Sequence, residues 1–152
     1  MRLDPANGVA EIGWVTLSPR LQRTTAATEA VFLLLRHVFG LGTRHHLFAA
    51  NPQHRPAPAA GRGSQRGCRA GYRRVEWKCD DRNAPSRAAA ARLGFAYEGT
   101  FRQAVVYKGR SRDTAWHAVV DGEWPRLRRG FEAWLSPDNF DEGGLSHGRY
   151  SH

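Results

Sequence analysis

Asn83 and Ser86 stand three residues apart at the head of an alanine-rich run, in "NAPSRAAAARLGF" (83–95). An Asn ahead of a helix accepts a first-turn N–H, and Pro85 fits a turn whose donors have no helical partner. Gly94 supplies the left-handed residue that ends the helix, and Phe95 opens a strand. Capping accounts for Asn83. It leaves Ser86 with two readings, a second capping partner or a hydroxyl with chemistry to do. A second stretch, "QRTTAATEA" (22–30), falls where a strand hands over to a helix. Its small residues let the chain turn tightly, and the free N–H groups of the first turn then converge on an anion the size of a pyrophosphate. The same Thr and Ala residues also make a good plain helix start.

The elements that hold these residues follow from periodicity. "VAEIGWVTL" alternates from Val9 to Leu17, with Val9, Glu11, Val15 and Leu17 on one face and Ile12 and Trp14 on the other. A helix is expected from Ala26 to about Phe39, with Val31, Leu34, Leu35 and Val38 inward and Glu29 in its first turn. "RRVEWKCD" reads as a short strand before the Asn83 helix. Strands at Phe95–Tyr107 and Thr114–Val120 follow, joined by a turn over Lys108–Asp113. Trp124, Leu127, Phe131, Trp134 and Leu135 mark a last amphipathic helix. Trp14, Trp77, Trp116 and Trp124 are read as core residues. Strands alternating with helices predict an α/β layer architecture.

The 152 residues fit one domain at 1–135, followed by a polar tail at 136–152. Hydrophobic residues at 41% and aromatics at 11% are those of a globular chain. The net charge of +9 would point to nucleic acid if it were spread over a face. Instead, Thr43 to Arg74 holds seven Arg and no acidic residue. Residues 43–70 therefore read as a basic, low-complexity insertion, and a nucleic-acid partner is not expected. His45, His46, His54 and Cys68 match no zinc spacing, so no metal is expected. With two cysteines, no secretory leader and no apolar run of membrane length, a reduced cytoplasm and no membrane partner are the expectation.

"RTTAATEA", "EWKCDDRNAPSRAAAARLGF", "EGTFRQ" and "KGRSRDTAW" together resemble successive blocks of the GNAT N-acetyltransferase superfamily, in its RimJ/RimL-like branch. The resemblance implies a GNAT-like mixed sheet flanked by helices and acetyl-CoA as cosubstrate. Gln22 and Ala27 match the ends of the family's pyrophosphate loop, with Thr25 in place of its central Gly. Backbone N–H groups of Gln22, Arg23, Thr24, Thr25, Ala26 and Ala27 would cradle the pyrophosphate. The main chain of Val15, Thr16 and Leu17 would pair with the pantetheine arm, and Asn83 would tie a cofactor amide. Many relatives carry a Tyr acid where this chain has Ala90, which leaves Ser86 to polarise the departing sulfur, through a water rather than by direct proton donation.

An amine acceptor must lose a proton before it attacks, and Glu11 is the candidate base, with Glu98 and His117 as alternatives. Its other reading is a strand carboxylate facing solvent or paired with an Arg. The implied reaction is direct acetyl transfer to a primary amine, on a protein N-terminus or a small molecule. A non-catalytic CoA-binding remnant and a basic RNA-associated protein are the alternatives. Two departures from the family pattern stand out. By the resemblance, the chain is expected to start near the family's fourth strand, without the first strands and helices that wall the acceptor site, and to be interrupted by the basic insertion. The expectation is a weak catalyst whose strand at 9–17 is a bare edge, open to pairing with a second copy.

Overall fold

The computed structural model describes residues 2–41 and 72–141. The basic insertion at 43–70, the metal-type residues His45, His46, His54 and Cys68, and the tail beyond 141 lie outside them. Among the described residues, five strands form one sheet: β1 (Leu3–Asp4), β2 (Val9–Glu11), β3 (Arg74–Asp80), β4 (Ala96–Tyr107) and β5 (Arg110–Val120). The order across the sheet is β1-β2-β3-β5-β4. Only β2 and β3 run parallel. The helices are α1 (Thr25–Leu41), α2 (Ala84–Arg92) and α3 (Trp124–Trp134), with a 3-10 turn at Pro137–Asn139. No helix among the described residues is long and apolar enough to cross a membrane.

Strand alternation sorts the sheet into two unlike faces. One face presents Ala10, Ile12, Val75, Trp77 and Val119, and packs with Leu35 of α1, Ala90 of α2 and Phe131 of α3 into a single core. Leu35 and Phe131 are wholly buried, a gain of roughly 1.5–3 kcal/mol each. α1 buries Val31, Phe32, Leu35 and Val38, so Phe32 takes the inward place expected of Leu34, which stays exposed. The helix starts at Thr25, which puts Glu29 beyond its first turn. Gly94 ends α2 region at φ +86, where a Cβ would stand 2.2 Å from Leu127 Cδ1. Chain direction and core packing therefore both require glycine there.

The strand expected over Val9–Leu17 is shorter. Pairing with β3 stops at Glu11↔Glu76, and one last bond follows, from Ile12 N–H to the Glu76 carbonyl at 2.9 Å. Trp14 then turns left-handed at φ 57, breaks the alternation, and is 92% exposed rather than core. Nor is β2 a bare edge, because β1 pairs along its outer side through Leu3↔Ala10 and Asp4↔Val9. The expected dimer ladder at 9–17 has lost its strand. The turn between β4 and β5 is also shorter than Lys108–Asp113. Lys108 and Gly109, both at positive φ, make a two-residue hairpin turn, and β5 begins at Arg110.

His117, one of the alternative bases, sits on the core face. It pairs across the ladder with Trp77, lies 5.3 Å from the Tyr97 ring and is 3% exposed. Burial, helped by the nearby Arg87 charge, lowers its pKa, and a hydrogen bond to the Trp77 main chain opposes this only in part. The unfolded chain therefore binds a proton near pH 6.5 that the folded chain resists. Its contribution to stability is complete above that pH and is lost as pH falls toward the lower folded value. We expect the melting temperature to decline between pH 7 and 5, and His117→Asn to flatten that slope whatever its offset. An unchanged slope in the variant would remove His117 from the account.

Candidate functional site

Beyond Ile12 the chain of β2 leaves β3, while β3 continues through Trp77 to Asp80, paired only with β5. The two strands open like a V, and the opening leads into a cavity of about 490 Å3. Glu11 to Val15 line one wall, Trp77 to Asp80 the other, and Asn83 and Ser86 approach from the head of α2. Three residues picked out from sequence, Glu11, Asn83 and Ser86, thus share one cavity although 75 positions separate Glu11 from Ser86. Among the described residues, the main-chain N–H groups of residues 13–17 have no protein acceptor. Val15 therefore presents free backbone along this wall, and Thr16 and Leu17, beyond the lining, continue the unpaired main chain, except that the Leu17 carbonyl accepts from the Gln22 side-chain amide at 3.0 Å.

Asn83 caps α2, as its position predicts: its Oδ1 accepts the Ser86 N–H at 3.1 Å. Its side-chain amide donors keep no protein partner among the described residues. The Ser86 hydroxyl is not a cap. It accepts the Trp77 indole N–H at 3.0 Å, which fixes the oxygen and leaves its own proton to donate. Ala90, at the place of the family's Tyr, is fully buried in the core and cannot reach the cavity.

Glu11 pairs with a lysine rather than an arginine: its Oε2 meets Lys78 Nζ at 3.1 Å. Among the described residues its Oε1 has no hydrogen-bond partner, and it lies where a Cβ on Gly13 would come within 2.6 Å. Lys78 also bridges to Glu76 at 2.8 Å and lies 4.0 Å over the Trp116 ring. From Glu76 the charges continue through Arg74 to Glu98, which grips the guanidinium bidentately. The sheet face away from the helices thus carries an alternating chain, Glu11–Lys78–Glu76–Arg74–Glu98. Burial pushes the Glu76 carboxyl up, but hydrogen bonds from Lys78 and Arg74 outweigh it and hold the group below its ordinary value. Glu98, lowered by its bond to Arg74, is committed to that pair and does not line the cavity. Sequence gave no sign of Lys78, since its role appears only once β2 and β3 lie side by side.

The anion loop is partly as expected. Thr24 caps α1, its Oγ1 accepting the Ala27 N–H at 3.2 Å and donating to the Leu21 carbonyl at 2.7 Å. The N–H groups of Gln22, Thr24 and Ala27 are therefore used inside the loop. Those of Arg23, Thr25 and Ala26 have no acceptor among the described residues, and Arg23 holds a left-handed φ of 61. The free donors are three, not the six that the motif alone implies.

The Trp77–Ser86 bond yields a stability test. Removing the acceptor strands a part-buried indole N–H, and Ser86→Ala should cost about 1 kcal/mol. In a Trp77→Phe background the same change should cost close to nothing. Equal losses in both backgrounds, measured by denaturant unfolding, would show that this hydrogen bond contributes no coupling.

The acetyltransferase (GNAT) domain family matches residues 1–96. Among solved structures, a GCN5-related N-acetyltransferase from Brucella melitensis shares 44% identity over 99% of this chain and 55% of its own, with a TM-score of 0.77. A protein from Chromobacterium violaceum described as a probable acetyltransferase of the GNAT family shares 46% identity over 78% of this chain and 46% of its own, at a TM-score of 0.58. The microcin C7 self-immunity acetyltransferase MccE, solved with acetyl-CoA and AMP, shares 25% identity over 77% of this chain and 49% of its own, at 0.54. The chain spans about half the length of these solved relatives. No curated protein matches it. A five-stranded mixed sheet with its helices, the opening beside β3, and these likenesses agree: the chain belongs to the GNAT acetyltransferase family.

Proposed function

We propose that this chain binds acetyl-CoA across the opening between β2 and β3 and transfers its acetyl group to a primary amine, in the manner of the RimJ/RimL-like branch. The observation that carries the reading is the convergence of unpaired polar groups on one opening. They are the free main chain at 13–15, the Asn83 amide, the Ser86 O–H proton and the Glu11 Oε1; the chain then leads on to the three free N–H groups of the α1 loop, outside the cavity lining. Those residues fit an acyl thioester with a pyrophosphate at its far end. The N–H groups of Arg23, Thr25 and Ala26 would hold the phosphates at the positive end of α1. The free amides of 13–17 would pair with the pantetheine arm, and one of them would face the carbonyl oxygen as charge develops there. Bound acetyl-CoA supplies the activated acyl group.

The protein's own part is then proton and charge handling. Glu11 Oε1 takes the proton from the incoming ammonium, while Lys78 holds the other oxygen in place. The nitrogen–carbon bond forms and the carbon–sulfur bond breaks in one ternary complex, and the nitrogen's second proton leaves with the departing thiolate as the CoA thiol. Ser86 donates a hydrogen bond toward the departing thiolate, its oxygen held by Trp77. No covalent enzyme intermediate is needed.

The loop gives the sharper test. Ala26 is exposed in the first turn of α1, where an acid favours the helix but opposes a phosphate. Ala26→Asp should leave the melting temperature unchanged or slightly raised and weaken acetyl-CoA binding by about tenfold or more, read by calorimetry. Affinity equal to the parent chain's would remove the loop from the cofactor site. CoA release with a panel of primary amines then separates transfer from binding alone. Tight acetyl-CoA binding without turnover on any amine would favour the non-catalytic reading.

A further inference from the structure

Of the half-buried cations among the described residues, Arg74, Lys78 and Arg87 each meet a carboxylate. Arg112 does not. Its Nε is buried with no hydrogen-bond partner, and among the described residues its side chain's one hydrogen bond is a long 3.4 Å one from Nη2 to the Thr114 hydroxyl. A buried donor left unmade is costly, and a guanidinium without a counter-charge is costlier still. Carboxylates stand close by, but each is engaged elsewhere. Asp113 accepts the Gln103 N–H at 2.7 Å, where β4 bulges between its pairings Phe101↔Thr114 and Val105↔Arg112. Asp81 holds Arg87 and the Thr100 hydroxyl, and the Asp80 side chain accepts the Arg82 N–H.

Arg112 also lies where an acceptor would be read. It lines the cavity that holds Glu11 and Ser86, and it lines the polar cleft of about 440 Å3 beyond it. By strand parity it shares the charged face with Thr114, Trp116 and Lys78. The sheet order β2-β3-β5 puts the width of β3 between Arg112 and the side where β2 opens. The α1 loop already offers its own free donors to phosphates, so Arg112 is not needed there.

We infer that Arg112 is a specificity residue on the acceptor side, and that the acceptor is a primary amine which also carries an oxyanion, a carboxylate or a phosphate. A planar guanidinium with an unused Nε–H suits two-point recognition of such a group. Lys78 and Arg112 are the cations that line this cavity, and with Lys78 already neutralised by Glu11 and Glu76, Arg112 is the one that a ligand can complete. The inference rests on the amine-acceptor reading above, and its test keeps the two apart.

The full chain is titrated with glutarate, inorganic phosphate and CoA separately, following the Arg112 Nε–H resonance assigned by its loss in Arg112→Gln. Glutarate or phosphate should move that resonance saturably, and CoA alone should not. Acetyl transfer is then compared for β-alanine against its amide, and for 2-aminoethyl phosphate against ethanolamine. One anionic member should be preferred by about tenfold or more in kcat/KM, the ratio should collapse in Arg112→Gln, and Arg112→Lys should keep part of it. The preferred pair identifies the oxyanion. A resonance indifferent to both anions, one moved by CoA alone, or a preference surviving Arg112→Gln would overturn the inference. A responding resonance with no turnover on any amine would overturn the amine reading and leave the anion site standing.

Discussion

Everything in the candidate site depends on a parallel pair of strands that ends early. A parallel ladder satisfies the backbone of both strands for as long as they run together. Here β2 gives up that pairing after the Ile12 N–H, and the left-handed Trp14 carries the chain away from the sheet. β3 keeps its backbone satisfied through β5, so the opening costs the sheet little on that side. On the other side it leaves a run of exposed amides with no acceptor. Such groups are tolerable in water and become an asset when an extended, amide-bearing ligand lies along them.

The opening is stiffened by charge. Lys78 is held from two sides by carboxylates and from a third by the Trp116 ring, which fixes the carboxylate of Glu11 at the mouth of the V. Partly buried ion pairs add little net stability, since desolvation opposes the Coulomb gain. Their value here is positional: a five-membered alternating chain across three strands has one arrangement that satisfies all its members. Gly13 belongs to the same arrangement, because any side chain there would strike the Glu11 carboxylate.

Local chemistry was readable and long-range closure was not. Asn83, Pro85 and Gly94 mark the α2 boundaries because caps and left-handed residues act within a few positions. The core stripe of α3 followed from spacing in the same way, with Leu127 and Phe131 buried. The strand at 9–17 was overread because Val15 and Leu17 keep the alternation going after the partner strand has been lost. β1, two residues long, has no periodicity to detect, and it removes the edge that a second copy would have used. Ser86 stands out in the sequence, but its partner Trp77 and the Glu11–Lys78 pair depend on β3 lying beside α2 and β2, which no local pattern encodes. The loop motif implied six free donors, while the number left free was decided by the capping of Thr24.

The central claim is that acetyl-CoA enters between β2 and β3, and the tryptophans report on it directly. Trp14, Trp77 and Trp116 line that cavity, whereas Trp124 stacks on Phe39 at the helical side and Trp134 packs on Phe140. Titrating acetyl-CoA into the labelled chain and following the five indole N–H resonances separates the two groups. The account predicts saturable shifts at Trp14, Trp77 and Trp116, largest at Trp77, whose N–H is bonded to Ser86. Shifts confined to Trp124 and Trp134, or binding that moves none of the five, would contradict it.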